Sequence, residues 1–265
     1  MKLSISNIAW TTEQDGEVFA LMRKHGFSGL EIAPTRIFPE QPYERIDEAA
    51  AWKARLYGEW GFELPSMQSI WFGRSERIFG SAAERVALRD YTFAAIRFAE
   101  AIGCGNLVFG CPRNRCIPEG SDDAAAVTFF RELGDYACAH NTVIGMEANP
   151  PIYNTNYING TGAALDLIRR VNSPGFRLNL DVGAMVHNGE DVAILVGSEA
   201  LINHVHISEP GLKPIADRQL HRRLAALLEN CGYSGYVSIE MGKGPEAAEI
   251  DRIMGYVEGV FHAKS

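Results

Sequence analysis

The 265-residue sequence holds no run that approaches the roughly eighteen uninterrupted apolar residues of a membrane span, so no membrane partner is expected. It has no basic excess. Lys and Arg total 25 against 33 Asp and Glu, a formal charge of −8, which argues against a nucleic-acid partner because phosphates call for a basic face. Cysteine is scarce. The five present (Cys104, Cys111, Cys116, Cys138, Cys231) are odd in number and form no Cys-x-x-Cys pair, which argues against a zinc ribbon or a disulfide framework. Free thiols in a reducing cytoplasm are the expected state. The opening Met1-Lys-Leu-Ser-Ile-Ser-Asn7 enters a strand-like alternation with no long apolar signal region, and a cytoplasmic chain is expected. No Pro/Ser-rich linker, charge block or low-complexity tract divides the sequence, so residues 1–265 are expected to form a single domain.

What is present is a repeat. Short β-rich runs near 2–8, 28–33, 63–69, 105–110, 142–147, 175–181, 202–207 and 235–240 alternate with helix-like stretches such as 81–102 and 217–231. The spacing of about thirty residues is that of βαβ units, and eight of them predict an α/β fold, a single (β/α)8 TIM barrel. The strand registers agree. Phe176, Leu178 and Leu180 alternate with Arg177, Asn179 and Asp181; Leu30 and Ile32 with Gly29 and Glu31; Ile144 and Met146 with Gly145 and Glu147. A parallel strand covered on both faces should be apolar throughout, so the polar set must line a solvated or ligand-filled interior.

Four members of that inward set, Glu147, Asp181, His206 and Glu240, fall at or beside the last residue of four consecutive strands. In a TIM barrel that rim is where side chains from different strands converge on a substrate. Three carboxylates beside an imidazole repel one another, and a divalent cation resolves the repulsion. The oxygen-rich donor set favours one Mn²⁺ ion, with Mg²⁺, Co²⁺ or Zn²⁺ as alternatives. For any one of these residues alone, an unremarkable polar rim position is the simpler reading; the recurrence on successive units is what carries the metal.

With Gly145-Met-Glu-Ala-Asn-Pro150, Leu180-Asp181-Val-Gly, His204-Val-His206-Ile-Ser-Glu-Pro210 and Ser238-Ile-Glu240 in this order, the sequence resembles the sugar phosphate isomerase/epimerase family of the xylose isomerase-like TIM barrels. That superfamily also holds inosose dehydratases and metal-dependent AP endonucleases. The resemblance to its metal-dependent ketose 3-epimerases implies that Glu147, Asp181, His206 and Glu240 hold the metal and that Glu147 and Glu240 form the acid/base pair. The chemistry fits: moving a proton beside a carbonyl passes through an enediolate, which a metal stabilises while carboxylates on opposite faces remove and return the proton. The sequence also departs from those enzymes. Ala184, Leu212 and Tyr153 stand where they carry a histidine, an arginine and a glutamate that help hold sugar hydroxyls.

Other residues have two readings each. Glu31 and Gln68, inward near the ends of the second and third strands, could bind substrate or make structural contacts. Arg113 and Arg115 after the fourth strand, and Lys213 and Lys243 after the seventh and eighth, could grip a phosphate or carboxylate or be solvated loop charges. His187 could replace the histidine missing at Ala184; His204 is read as an interior hydrogen-bonded residue, and His221 as the opening of the seventh helix. Trp10, Trp71 and Phe72 could wall a sugar or pack the loops. The expected function is a divalent-metal-dependent isomerase or epimerase of a sugar, sugar phosphate or sugar acid. A metal-dependent dehydratase is the alternative, followed by an AP-endonuclease-like phosphodiesterase. A homo-oligomer is compatible with every one of these.

Overall fold

The computed structural model describes residues 1–262. Seven parallel strands, β1 (Lys2–Ser6), β2 (Gly29–Glu31), β3 (Leu107–Phe109), β4 (Ile144–Glu147), β5 (Phe176–Asp181), β6 (Ile202–Ile207) and β7 (Tyr236–Ile239), form one sheet in the order β2-β1-β7-β6-β5-β4-β3. Between its two edges lies the segment around Glu63–Met67. It pairs in parallel with Gly29 and Ile32 of the β2 side and with Leu107 of β3, and so closes the ring of a TIM barrel.

The run 63–69, expected as a full strand, is thus reduced to isolated bridges, and the reason is Pro65. Backbone bonds flank it on both sides, from Leu30 to Glu63 at 2.9 Å, from Ile32 to Ser66 at 3.1 Å and from Met67 to Asn106 at 2.9 Å. A proline has no N–H to add between them. The other seven runs lie within two residues of their expected ends, with extended flanks trimmed at the loops.

The main helices are α1 (Asp15–Lys24), α2 (Pro34–Ile37), α3 (Ile46–Trp60), α4 (Ala82–Ile102), α5 (Ala124–Ala139), α6 (Thr161–Val171), α7 (Val182–Asn188), α8 (Gln219–Asn230) and α9 (Ala247–Phe261). The stretch expected at 81–102 is α4. Ser81 caps it and Glu84 reaches back to the cap in a capping box, while Gly103 ends it in the left-handed conformation. None of the described helices is long and apolar enough to cross a membrane.

The core sits between the helices and the outer faces of the strands, where Leu3, Ile5, Phe109, Ile144, Met146, Phe176, Leu178, Val205, Val237 and Ile239 are buried. Phe130 of α5 stacks on Phe176 of β5 at 5.0 Å and meets Phe109 edge-on at 4.9 Å. Such a side chain is worth about 3–5 kcal/mol against alanine. The barrel interior is different in kind. Ser4, Ser6, Glu31, Asn106, Asn179, His204, His206 and Ser238 are all buried within it. Part of this layer is paired internally, as in the bonds from Asn106 Nδ2 to Ser66 Oγ (3.0 Å) and Asn179 Oδ1 (3.3 Å), while Ser4 Oγ and Ser238 Oγ find no partner among the described residues. Gly145 of β4 makes room for this layer, since a Cβ there would meet Asn106 Oδ1 at 2.5 Å.

Candidate metal centre

Each of the four expected ligands leaves the C-terminal end of its own strand. Glu147 ends β4, Asp181 ends β5, His206 is the penultimate residue of β6, and Glu240 follows β7. The ladder sets Asp181 beside His206 and His206 beside Ser238. Each ligand offers one atom, and these atoms all lie within 4.8 Å of one another. His206 Nδ1 is 3.1 Å from Glu147 Oε1 and 3.3 Å from Glu240 Oε2. Three carboxylate oxygens and one imidazole nitrogen converging so closely form a donor set that fits a divalent cation.

Neighbouring groups hold Glu147, Asp181 and His206 in place, while the Glu240 carboxylate meets only His206 among the described residues. Glu147 Oε1 accepts from Asn179 Nδ2 (3.0 Å), and its Oε2 accepts from Asn149 Nδ2 (3.0 Å). Asn149 is fixed by Arg115, whose Nη2 donates to Asn149 Oδ1 and whose Nη1 donates to Glu147 O, both at 2.9 Å. Asp181 caps α7 by accepting from the Ala184 N–H, and its second oxygen accepts from Ser208 Oγ at 2.9 Å. His206 Nε2 lies 2.9 Å from Glu31 Oε2. The supports Asn149, Asn179 and Ser208 each stand two residues from a ligand on the same strand path, the offset that keeps two side chains on one face. That offset is the signal by which the sequence marks the supports.

The electrostatics follow from crowding in a dry interior. Burial, followed by repulsion from Glu147 and Glu240, pushes the Asp181 carboxyl well above its usual range. Burial raises Glu240 as well, against the pull of His206. Burial would strip the proton from His206, but Glu31 and Glu240 beside it reverse this and hold the imidazolium well above the usual histidine range. Burial likewise opposes the charge on Glu31, yet His206 and His204 keep its carboxyl well below the usual range.

Glu147, Asp181 and Glu240 line a cleft of about 170 Å³ together with Gln68, Ser69, Val108, Gly110, Cys111, Pro112, Asn149, Tyr153, Ser208 and Leu212. This is below the roughly 300–1,000 Å³ of drug-sized pockets and suits a small ligand. The remaining sequence candidates divide. Gln68 lines the cleft. Glu31 does not; it is fully buried beneath it, against both histidines. Arg115 is also fully buried, and it serves Glu147 and Asn149 rather than reaching outward as a loop charge. Arg113, His187, Lys213 and Lys243 are exposed and are not among the cleft-lining residues. His204 is the interior residue expected, 3.1 Å from Glu31. His221 is buried in α8 and pairs with Tyr256 at 2.9 Å. Trp10 and Trp71 are packing residues bonded to Asp15 and Thr92, and Phe72 is exposed. Tyr153 and Leu212, two positions of departure from the ketose 3-epimerases, both stand in the cleft wall.

The sequence profile of the xylose isomerase-like TIM barrel matches residues 19–258. The chain belongs to that family. Solved structures of the same fold include D-psicose 3-epimerase from Clostridium cellulolyticum H10 with D-tagatose, 17% identical with a TM-score of 0.77, covering 98% of this chain and 99% of that one. A second is 3-keto-D-glucoside 4-epimerase from E. coli, at 18% identity and a TM-score of 0.74, covering 97% and 98%. A third is a family 2 AP endonuclease from Brucella melitensis, at 20% identity and a TM-score of 0.71, covering 93% and 95%. At these identities the likeness establishes the fold. No curated protein matches the sequence.

Proposed function

We propose that this family member is a divalent-metal-dependent epimerase or isomerase of a small carbohydrate, with Glu147, Asp181, His206 and Glu240 as metal ligands and manganese as the first ion to test. The observation that carries the proposal is the convergence of those four donors, three of them lining one cleft and His206 buried against them. A bound divalent ion would supply electrophilic help to a substrate carbonyl and its neighbouring hydroxyl. The protein's own part is proton transfer. Glu147 and Glu240 enter from different strands and face the same small cleft, so one carboxylate can take the proton beside the carbonyl and the other can return one. Asp181, which caps α7 and accepts from Ser208, is assigned to holding the metal, as the resemblance to the ketose 3-epimerases implies. Gln68 spends its Nε2 on Ser6 and Glu31, and its Oε1, met by Ser69 Oγ at 3.5 Å, has a second lone pair to accept a substrate hydroxyl.

One sequence alternative has less support. None of the described residues lining the cleft is Lys or Arg, and this disfavours a phosphodiester or sugar phosphate. A dehydratase would use the same carboxylates, and loss of water from substrate separates it from an epimerase. The five unpaired cysteines support a reducing, cytoplasmic setting.

The test uses Glu147→Gln and Glu240→Gln with a panel of ketoses and Mn²⁺ in deuterated water. Each variant should keep part of its metal affinity and lose at least about 10²-fold in turnover. The variant lacking the abstracting base should also lose deuterium exchange into substrate. Unimpaired exchange in both variants would assign the proton to another residue.

A further inference from the structure

The buried layer beneath the cleft contains a carboxylate with no place in the proposed proton transfer. Glu31, at the end of β2, is fully buried. A bare charge so placed is costly unless it is paired and hydrogen-bonded. Its partners are specific. Oε2 lies 2.9 Å from His206 Nε2 and 3.1 Å from His204 Nε2, and Oε1 accepts from Gln68 Nε2 at 3.2 Å. An imidazole has two nitrogens, and the partner of one decides where the other points. With Nε2 of His206 engaged by Glu31, Nδ1 is the atom presented to Glu147 and Glu240. Both rings face one oxygen of one carboxylate, from a strand that supplies none of the four proposed ligands.

We propose that Glu31 is a positioning residue that fixes the ring orientation of His206 and selects Nδ1 as its metal-binding atom. This rests on the metal-dependent reading given above. Outer carboxylates of this kind also make the ring a better donor, and their loss costs about 10–100-fold in metal affinity.

The experiment is a calorimetric titration of Mn²⁺ into the full-length protein and into Glu31→Gln, which keeps the side-chain shape and removes the charge. Pulsed electron paramagnetic resonance of the loaded samples reports the ¹⁴N coupling of the bound imidazole. Thr92→Val serves as a comparator, because it removes an equally buried bond, to Trp71, that involves none of the ligands. Glu31→Gln should bind one Mn²⁺ about 10–100-fold more weakly with an altered ¹⁴N coupling, whereas Thr92→Val should lower thermal stability and leave both readouts unchanged. Equal affinity and coupling in Glu31→Gln and the parent would overturn the role of Glu31 and leave the metal site standing. No Mn²⁺ uptake by the parent protein would overturn both.

Discussion

Gly110, which follows β3, offers a direct test of the proposed site, because its missing side chain is what gives Glu147 its place. A Cβ built there would lie 2.8 Å from Glu147 Oε2 and 3.4 Å from Asn149 Oδ1. Ordinary contact begins at 3.4 Å, so Gly110→Ala requires the carboxylate oxygen to retreat by about 0.6 Å, the difference between 3.4 and 2.8 Å. The retreat breaks or stretches the 3.0 Å bond from Asn149 Nδ2 to that same oxygen. The backbone raises no objection, since Gly110 is not among the glycines with positive φ. Global stability should therefore change little. Overpacking costs about 1–3 kcal/mol at most, relief comes from movement of Glu147 toward the cleft, and the stiffer unfolded chain returns about 0.4–1 kcal/mol. Function should suffer far more, because a displacement near 1 Å in a reacting group can cost about 10²-fold. The assay pairs thermal melting with Mn²⁺ titration and ketose turnover. A variant that melts within a few degrees of the parent but loses at least tenfold in Mn²⁺ affinity or turnover agrees with this geometry. Parent-like binding and turnover would show that Glu147 Oε2 has no part in the site.

Arg115→Ala leaves Glu147 O and Asn149 Oδ1 as buried unpaired acceptors, at about 1–3 kcal/mol each, and should lower the urea midpoint; an unchanged midpoint would contradict the clamp. Because the cleft wall contains no described Lys or Arg, a phosphorylated ketose should bind no better than its neutral counterpart at any salt concentration. A phosphate preference that fades with salt would bring Arg113, Lys213 or Lys243 back as ligands. Burial lowers the His221 pKa from 6.5 to about 4, so the unfolded chain binds that proton first. Its contribution is complete above pH 6.5 and is lost as the pH falls toward about 4. Between pH 7 and 5 the parent should lose about 2 kcal/mol more than His221→Gln in urea unfolding, and equal losses would refute this.

The fold and the four proposed ligands were legible in the sequence for one physical reason. An inward polar residue at the end of a parallel strand contradicts the apolar environment around it, and four such contradictions one βα unit apart are hard to produce without a shared centre. The supporting residues were less visible. Arg115 reads as a loop charge until the fold turns it inward beneath Glu147, and nothing local distinguishes it from Arg113, which stays exposed. Glu31 keeps two readings in the sequence, substrate contact or structural contact, because strand alternation fixes the face of a side chain and not its depth in the barrel. The weakness of the third expected strand was legible in Pro65 and passed over.

That proline gives the barrel a seam. Around the ring, β4 to β7 form an arc of multi-residue ladders, with one register shift at Leu178/Asn179, and all four proposed ligands ride on it. On the far side, the stave at 63–67 is stitched by single bridges. Gln68 and Ser69, which follow that stave directly, are the cleft wall opposite the ligands in ring order. Amide exchange should therefore be quickest along the seam and slowest along the arc. Such a pattern would make the barrel stiff where the proposed metal is gripped and slack where a substrate would enter and leave.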